Sequence, residues 1–164
     1  MTQIRLMTEH DVPAVSQLMG DSWRRTYGPI VGEDTAARIS GEYHSPTSLT
    51  ADLADTDRMS FVAERSDGAI VGYAMAELKD GDVKLDRLHV DESEFGTGVA
   101  VDLLHAVLTA HAGMPSMALE VLQGNDRALA FYRKHGFEVV ERRTAPHGAA
   151  GHTSFIMRRL LPRA

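Results

Sequence analysis

A chain of 164 residues, 43% hydrophobic and 24% charged with a net charge of −6, is long enough to bury one sizeable core and has the composition of an ordinary globular domain. It contains no cysteine, which excludes disulfides, thiolate metal sites and a cysteine nucleophile, and its acidic balance disfavours nucleic acid while suiting a cationic or amine partner. No apolar run approaches the ~20 residues that cross a bilayer, and the first residues lack the apolar centre of a signal peptide, so a cytoplasmic protein with no membrane partner is expected.

Ile4 to Met7 reads as a short first strand. Thr8, Glu9 and Asp11 are capping residues and Pro13 suits a helix start. Val12, Val15, Leu18 and Met19 recur at helical spacing, which places the first helix from about Asp11 to Tyr27, with Gly28-Pro29 as its stop. Glu33 to Ile39 supports a second helix. The Gly-, Pro-, Ser- and Thr-containing stretch 41–57 has the weakest periodicity, with a short helix around Leu49 to Leu53. Met59 to Glu64 and Ala69 to Leu78 are apolar runs joined by the turn Ser66-Asp67-Gly68, and Lys79-Asp80-Gly81-Asp82 leads into a third run, Val83 to Val90. Three antiparallel strands therefore precede residue 91.

The stretch from Leu88 to Ala112 is the centre of the chain. A strand ends in an acidic loop, followed by Phe95-Gly96-Thr97-Gly98, and then Ala100, Leu103, Leu104, Val107, Leu108 and His111 fall on one helical face. The first N–H groups of a helix have no internal partner and the helix dipole is positive there. Glycines at 96 and 98 let an anion approach the backbone, so this turn reads as a pyrophosphate cradle. Gly113-Met114-Pro115 ends the helix, and Met117 to Leu122 reads as a buried strand. Asn125-Asp126 caps a helix ending at His135-Gly136. Phe137 to Arg143 and Thr153 to Leu160 are two last strands around the loop 146–152. No repeat, linker or low-complexity tract interrupts the chain, so residues 1–164 form one α+β domain.

FGTGVA after a strand, Asn125 ahead of ALAFYRKHGF, and a terminal hairpin occur in that order. Nearly the whole chain thereby resembles the GCN5-related N-acetyltransferase (GNAT) superfamily. The resemblance implies a mixed, mostly antiparallel sheet of six to seven strands flanked by helices, with a splayed central strand pair. It implies acetyl-CoA as acyl donor, no metal, and direct transfer to a primary amine of a small molecule or of a peptide or protein. Homodimers are frequent in the superfamily.

Residue by residue, it implies that main-chain groups of Leu88, His89 and Val90 line the pantetheine arm. Phe95, Gly96, Thr97, Gly98, Val99 and Ala100 surround the pyrophosphate. Asn125 and Ala128 hold the pantetheine or phosphate portion, and Tyr132 protonates the departing thiolate. The chemistry agrees, since a phenol with a pKa near ~10 is protonated at neutral pH and can donate to a thiolate of similar basicity. Trp23 and Tyr27 fall where the superfamily shapes its acceptor pocket, although packing would use the same residues. Tyr43 and His44 lie in the segment that varies with substrate.

Two positions depart from the pattern. Phe95 stands where Arg or Gln is usual, and Lys84 stands where a Glu is frequent, two residues before Asp86. Glu77 and Asp86 on neighbouring strands are the carboxylates advanced for the general base, with His89, Glu120, His147 and His152 as further candidates. Three other readings compete. An acyl-CoA-binding protein without catalysis draws on both departures. A vicinal-oxygen-chelate protein shares the Phe-Tyr…Gly-Phe phrase but uses it early in a repeated module. A dinucleotide fold would take Glu120 as its ribose ligand, yet Val101 replaces its third glycine and antiparallel hairpins precede the turn. A P-loop is excluded, because no Gly-Lys-Ser/Thr is present.

Overall fold

The computed structural model describes residues 1–145 and 151–162. Strands β1 (Thr2–Leu6), β2 (Arg58–Arg65), β3 (Ile70–Lys79), β4 (Asp82–Val90), β5 (Ser116–Leu122), β6 (Glu138–Thr144) and β7 (Thr153–Leu160) form one sheet in the order β1-β2-β3-β4-β5-β7-β6. Every neighbouring pair is antiparallel except β4 and β5, which run parallel. The mixed seven-stranded sheet expected from sequence is therefore present.

Among the described residues five α-helices cover it: α1 (Val12–Val31), α2 (Glu33–Tyr43), α3 (Pro46–Ala54), α4 (Val99–Ala110) and α5 (Asp126–Lys134). The alternation of β3 shows how the layers are divided. Ala74 and Ala76 belong to the core formed with α4 and α5, whereas Tyr73 and Met75 belong to the core formed with α1 and α3. Small residues on one face and large ones on the other let α4 lie close to the sheet. Gly72 sets the limit of that approach. A Cβ there would meet Leu103 Cδ1 at 2.8 Å, Ala63 Cβ at 3.2 Å and Val99 Cγ1 at 3.3 Å. Gly72→Ala is therefore expected to destabilise the protein by about 1–3 kcal/mol through overpacking. In calorimetry this corresponds to a Tm lowered by about 2–12 °C, and an unchanged Tm would mean that α4 has slack.

The helix boundaries differ from the sequence reading. α1 passes through Gly28-Pro29 and ends at Val31, because a proline so close to the C-terminus removes a single intrahelical hydrogen bond. Its stop is Gly32 at φ 95°, whose N–H reaches the Gly28 carbonyl. α2 continues four residues past Ile39, to Tyr43. α3 starts at Pro46 rather than near Leu49, because the Ser45 side chain accepts the Ser48 N–H and Pro46 fits the first turn. α4 ends at Ala110, where His111 turns back and its ring bonds the Val107 carbonyl at 2.7 Å. β4 also carries an irregularity. Met75 faces Arg87 but Ala76 faces Leu85, so Asp86 is an extra residue on β4, a bulge.

Candidate active site

β4 and β5 pair over only two rungs, Val83–Met117 and Lys84–Ala118. Beyond them each strand follows its other neighbour, β4 with β3 as far as Val90 and β5 with β7 as far as Leu122. A fork opens in the middle of the sheet, which is the splay expected from the sequence. Its inner edge on β4 can be read from the ladder. Asp91 N–H donates to the Val71 carbonyl at 2.8 Å. Antiparallel rungs alternate between hydrogen-bonded and open pairs, so Leu88 and Val90 turn their own N–H and C=O groups into the fork. At one of these groups Arg25 already donates to the Val90 carbonyl, at 3.3 Å.

The fork continues into a cleft of about 690 Å³ lined by Leu85 to Val90, the glycine turn, Leu119 to Val121, one side of α5 and part of α1. At its outer end Gly96 has φ 81° and Gly98 φ 92°, and a Cβ built on either would meet nothing within 4 Å. The backbone is thus held in the left-handed conformation with open space above it, immediately before the N-terminus of α4. The residues present fit an anion. Ala100 lines the same cleft, but Val99 is buried in the core and Thr97 lies outside the lining, its hydroxyl donating to the Glu94 carbonyl at 2.7 Å. Of those two, only main-chain groups are available for a cradle.

α5 forms the opposite wall. Asn125 caps it, Oδ1 accepting the Ala128 N–H at 3.3 Å. Tyr132 is buried, edge-on to Phe131 and Phe137 at centroid distances of 5.3 and 5.6 Å, and lines the cleft. Among the described residues its hydroxyl has no hydrogen-bond partner. Burial, and secondarily Tyr27, push the phenol well above its ordinary range, so it is a protonated group throughout the working pH range.

The fork carries a carboxylate on each strand. Asp86 and Glu120 occupy rungs just past the last paired ones, and both line the cleft. Asp86 is exposed at the bulge, 3.5 Å from Lys84 Nζ and 3.6 Å from Arg87 Nε. Glu120 is held more firmly, by Arg143 at 2.6 Å and by Ser154. Those bonds keep its carboxyl below the usual range although partial burial opposes them. Glu120 alternates with the buried Leu119 and Val121, so it faces away from α4 and α5, while Tyr132 approaches from their side.

Other expected site residues lie elsewhere. Glu77 is outside the cleft, on β3 opposite Lys84, and accepts from Arg58 Nε at 3.1 Å. Its neighbour Lys84 is still paired with Ala118 of β5, so the sheet is closed at that level. Trp23 also leaves the cleft. It packs on Tyr27 at 4.3 Å, with His44 at 5.6 Å and the α1–α3 core, while Tyr27 remains in the lining. His44 is buried against Ser40 at 2.9 Å. His152 is described outside the cleft lining, and its carbonyl accepts the Ala145 N–H. His147 lies outside the described residues.

Two features had no sequence signal. Arg87 is buried and donates to Asp52 at 2.7 Å and to the Tyr73 hydroxyl at 3.0 Å, and Arg58 also binds Asp52. Two histidines near this network are held neutral. Burial, reinforced by Arg87, lowers His44 to about 3, and burial with Arg25 and Arg87 lowers His89 to about 4. His89 Nδ1 shares a 2.7 Å hydrogen bond with Ser22 Oγ. Below the ordinary histidine pKa of about 6.5 the unfolded chain binds protons that the folded one refuses. Stability is therefore full above about 6.5 and falls as pH drops toward 4, by up to ~1.4 kcal/mol per pH unit for each group. Chemical denaturation between pH 7.5 and 4.5 measures this. His44→Gln should show a visibly shallower decline, and an equal slope would remove His44 as a cause.

The chain matches the acetyltransferase (GNAT) domain family over residues 29–156. It is 40% identical over 107 residues to an uncharacterized N-acetyltransferase of Mycobacterium tuberculosis, covering 63% of this chain and 69% of that one. With N-alpha-acetyltransferase RimI of the same organism it shares 32% identity over 119 residues, 70% of this chain and 73% of that one. The structure of the PaiA N-acetyltransferase from Thermoplasma acidophilum in complex with coenzyme A has the same fold, with a TM-score of 0.82 at 20% identity over 98% of this chain and 99% of that one.

Proposed function

The chain belongs to the GNAT acetyltransferase family, and from that premise we propose that it transfers an acetyl group from acetyl-CoA directly to the primary amine of a small molecule or of a peptide or protein. The observation that carries this is the forked sheet. It has an anion cradle at its outer end and, at its inner end, a proton donor on one face with two carboxylates on the rungs where the strands part. An anionic donor fits the first end and a cationic amine the second. The RimI relative, by its name an N-alpha-acetyltransferase, favours an amino terminus as acceptor.

In this reading Gly96, Gly98, Val99 and Ala100 hold the pyrophosphate by their backbone. Asn125 and Ala128 flank the arm, whose amides run along Leu88 and Val90 as an added strand. Asp86 takes the proton of the incoming ammonium, directly or through water, so that the neutral nitrogen attacks the thioester carbonyl. An N–H group of the fork stabilises the oxyanion. The N–C bond forms, the C–S bond breaks, and Tyr132 gives its proton to the departing thiolate; the proton shed by the new amide nitrogen passes through water to the Tyr132 oxygen and restores the phenol, while the proton on Asp86 leaves to solvent. No acyl-enzyme is required.

The test is a two-stage one on the purified protein. A thermal shift with acetyl-CoA is expected, since a ligand at a hundredfold excess over Kd adds about 2.7 kcal/mol. Release of free thiol should then depend on an added amine, screened from peptides with free α-amino groups to simple alkylamines. A shift without thiol release from any amine would replace this reading with a donor-binding protein. A shift with divalent metal and none with either coenzyme would favour the chelate-type reading.

A further inference from the structure

Phe95 replaces a position at which a cation or amide would ordinarily face the donor, and the structure fills that gap from other elements. The ring is 39% exposed and lines the cleft beside Gly96. The Arg127 guanidinium of α5 lies 3.3 Å from the ring centroid, and the Arg25 guanidinium of α1 lies 5.2 Å from it. Both arginines line the cleft. Among the described residues neither forms an ion pair within 4.0 Å. The one carboxylate in this part of the lining, Glu94, is engaged by Arg65 at 3.6 Å. Two guanidinium groups without a carboxylate contact of their own, Arg25 donating to the Val90 carbonyl and lying within electrostatic reach of Asp91, are thus gathered beside a backbone anion cradle in a protein of net charge −6.

We propose that Arg25 and Arg127, positioned by the ring of Phe95, are the cationic contacts for the diphosphate of the acyl donor; this rests on the acyl-CoA reading above. A guanidinium stacked on an aromatic face keeps its in-plane N–H groups free to bind phosphate oxygens bidentately. The stack also restrains two long side chains in advance, which lowers the ordering cost of binding. Arg127 comes from the α5 wall and Phe95 from the β4 side, so their contact spans the mouth of the cleft. The donor's diphosphate then sits under a bridge of charge, and a cation at position 95 itself becomes unnecessary.

Calorimetric titrations with acetyl-CoA and with acetyl-pantetheine, which lacks the phosphates, test this in wild type, Arg127→Gln and Arg127→Lys. Arg127 is exposed, so the fold should tolerate both changes. Arg127→Gln should weaken acetyl-CoA about tenfold or more, the scale of one charged hydrogen bond, and leave acetyl-pantetheine unchanged. Arg127→Lys should keep much of the affinity, and the wild-type advantage should shrink with added salt. Equal weakening of both donors, equal losses in the Gln and Lys variants, or no loss in either would overturn the proposal while leaving the acetyltransferase reading intact. Failure of wild type to bind either donor would overturn that reading itself.

Discussion

Replacing Tyr132 with phenylalanine is expected to lower kcat for acetyl transfer by about 10²–10⁴-fold, the range of a lost general acid, while KM for acetyl-CoA moves by no more than about threefold. The separation follows from the geometry. The ring of Tyr132 packs edge-on to Phe131 and Phe137, and phenylalanine preserves that packing. Its hydroxyl faces the cleft without a protein partner among the described residues, so its removal strands no buried group. What disappears is a proton held on oxygen by burial. A further measurement separates proton donation from positioning. A thioester whose thiol is more acidic needs less protonation as it leaves, so the variant should recover rate with such a donor more than wild type does. An unchanged kcat, or a deficit equal for both donors, would remove Tyr132 as the acid.

The largest loss of stability should come from Asp52→Ala, about 3–5 kcal/mol and therefore roughly 6–20 °C in Tm. Asp52 and Arg87 have side chains 7% and 9% exposed and lie 2.7 Å apart. Removing the carboxylate leaves Arg87 buried with only the Tyr73 hydroxyl and the longer, partly exposed contact of its Nε with Asp86 at 3.6 Å. Arg58 is less affected, because Glu77 still binds it. The penalty belongs to the stranded cation rather than to the pair, so Asp52→Ala combined with Arg87→Met should be more stable than Asp52→Ala alone. If the single variant melts like wild type, the pair is not desolvated as drawn. Activity is expected to fall in the single variant even where it remains folded, since Arg87 follows Asp86 at the fork and ties β4 to α3.

Features read from sequence were those whose physics is local. The apolar runs at Met59–Glu64 and Val83–Val90 place strands because their length and the turn residues that bound them are read within a few positions. Gly96-Thr97-Gly98 places the left-handed turn ahead of α4 because the turn and the helix start are written in adjacent positions. The Asn125 cap and the Tyr132 face of α5 are separated by two turns of one helix. The missed features join distant positions. Arg87 and Asp52 are 35 residues apart, and neither residue type suggests a buried partner by itself. Arg127 and Arg25 meet Phe95 only after α1, the glycine turn and α5 have been assembled. Glu77 lies outside the cleft for a related reason: whether that level of the sheet is open depends on where β4 and β5 separate. Pro29 misled because a local breaker near a helix end removes one hydrogen bond, and the surrounding packing outweighs it.

The extra residue on β4 sets the phase of everything after it. Before Asp86, Val83 and Leu85 point toward α4, and after it Leu88 and Val90 do, so the odd-numbered side chains change sides at residue 86. This parity change delivers Arg87 to Asp52 and His89 to Ser22 on the other layer. Were Asp86 instead kept in regular alternation, without the bulge, a guanidinium and an imidazole would be driven into the aliphatic layer beneath α4. The bulge thus works as a half-period frameshift, written in space rather than in a reading frame, that absorbs one extra residue and keeps the charged side of the strand and its apolar side in separate compartments.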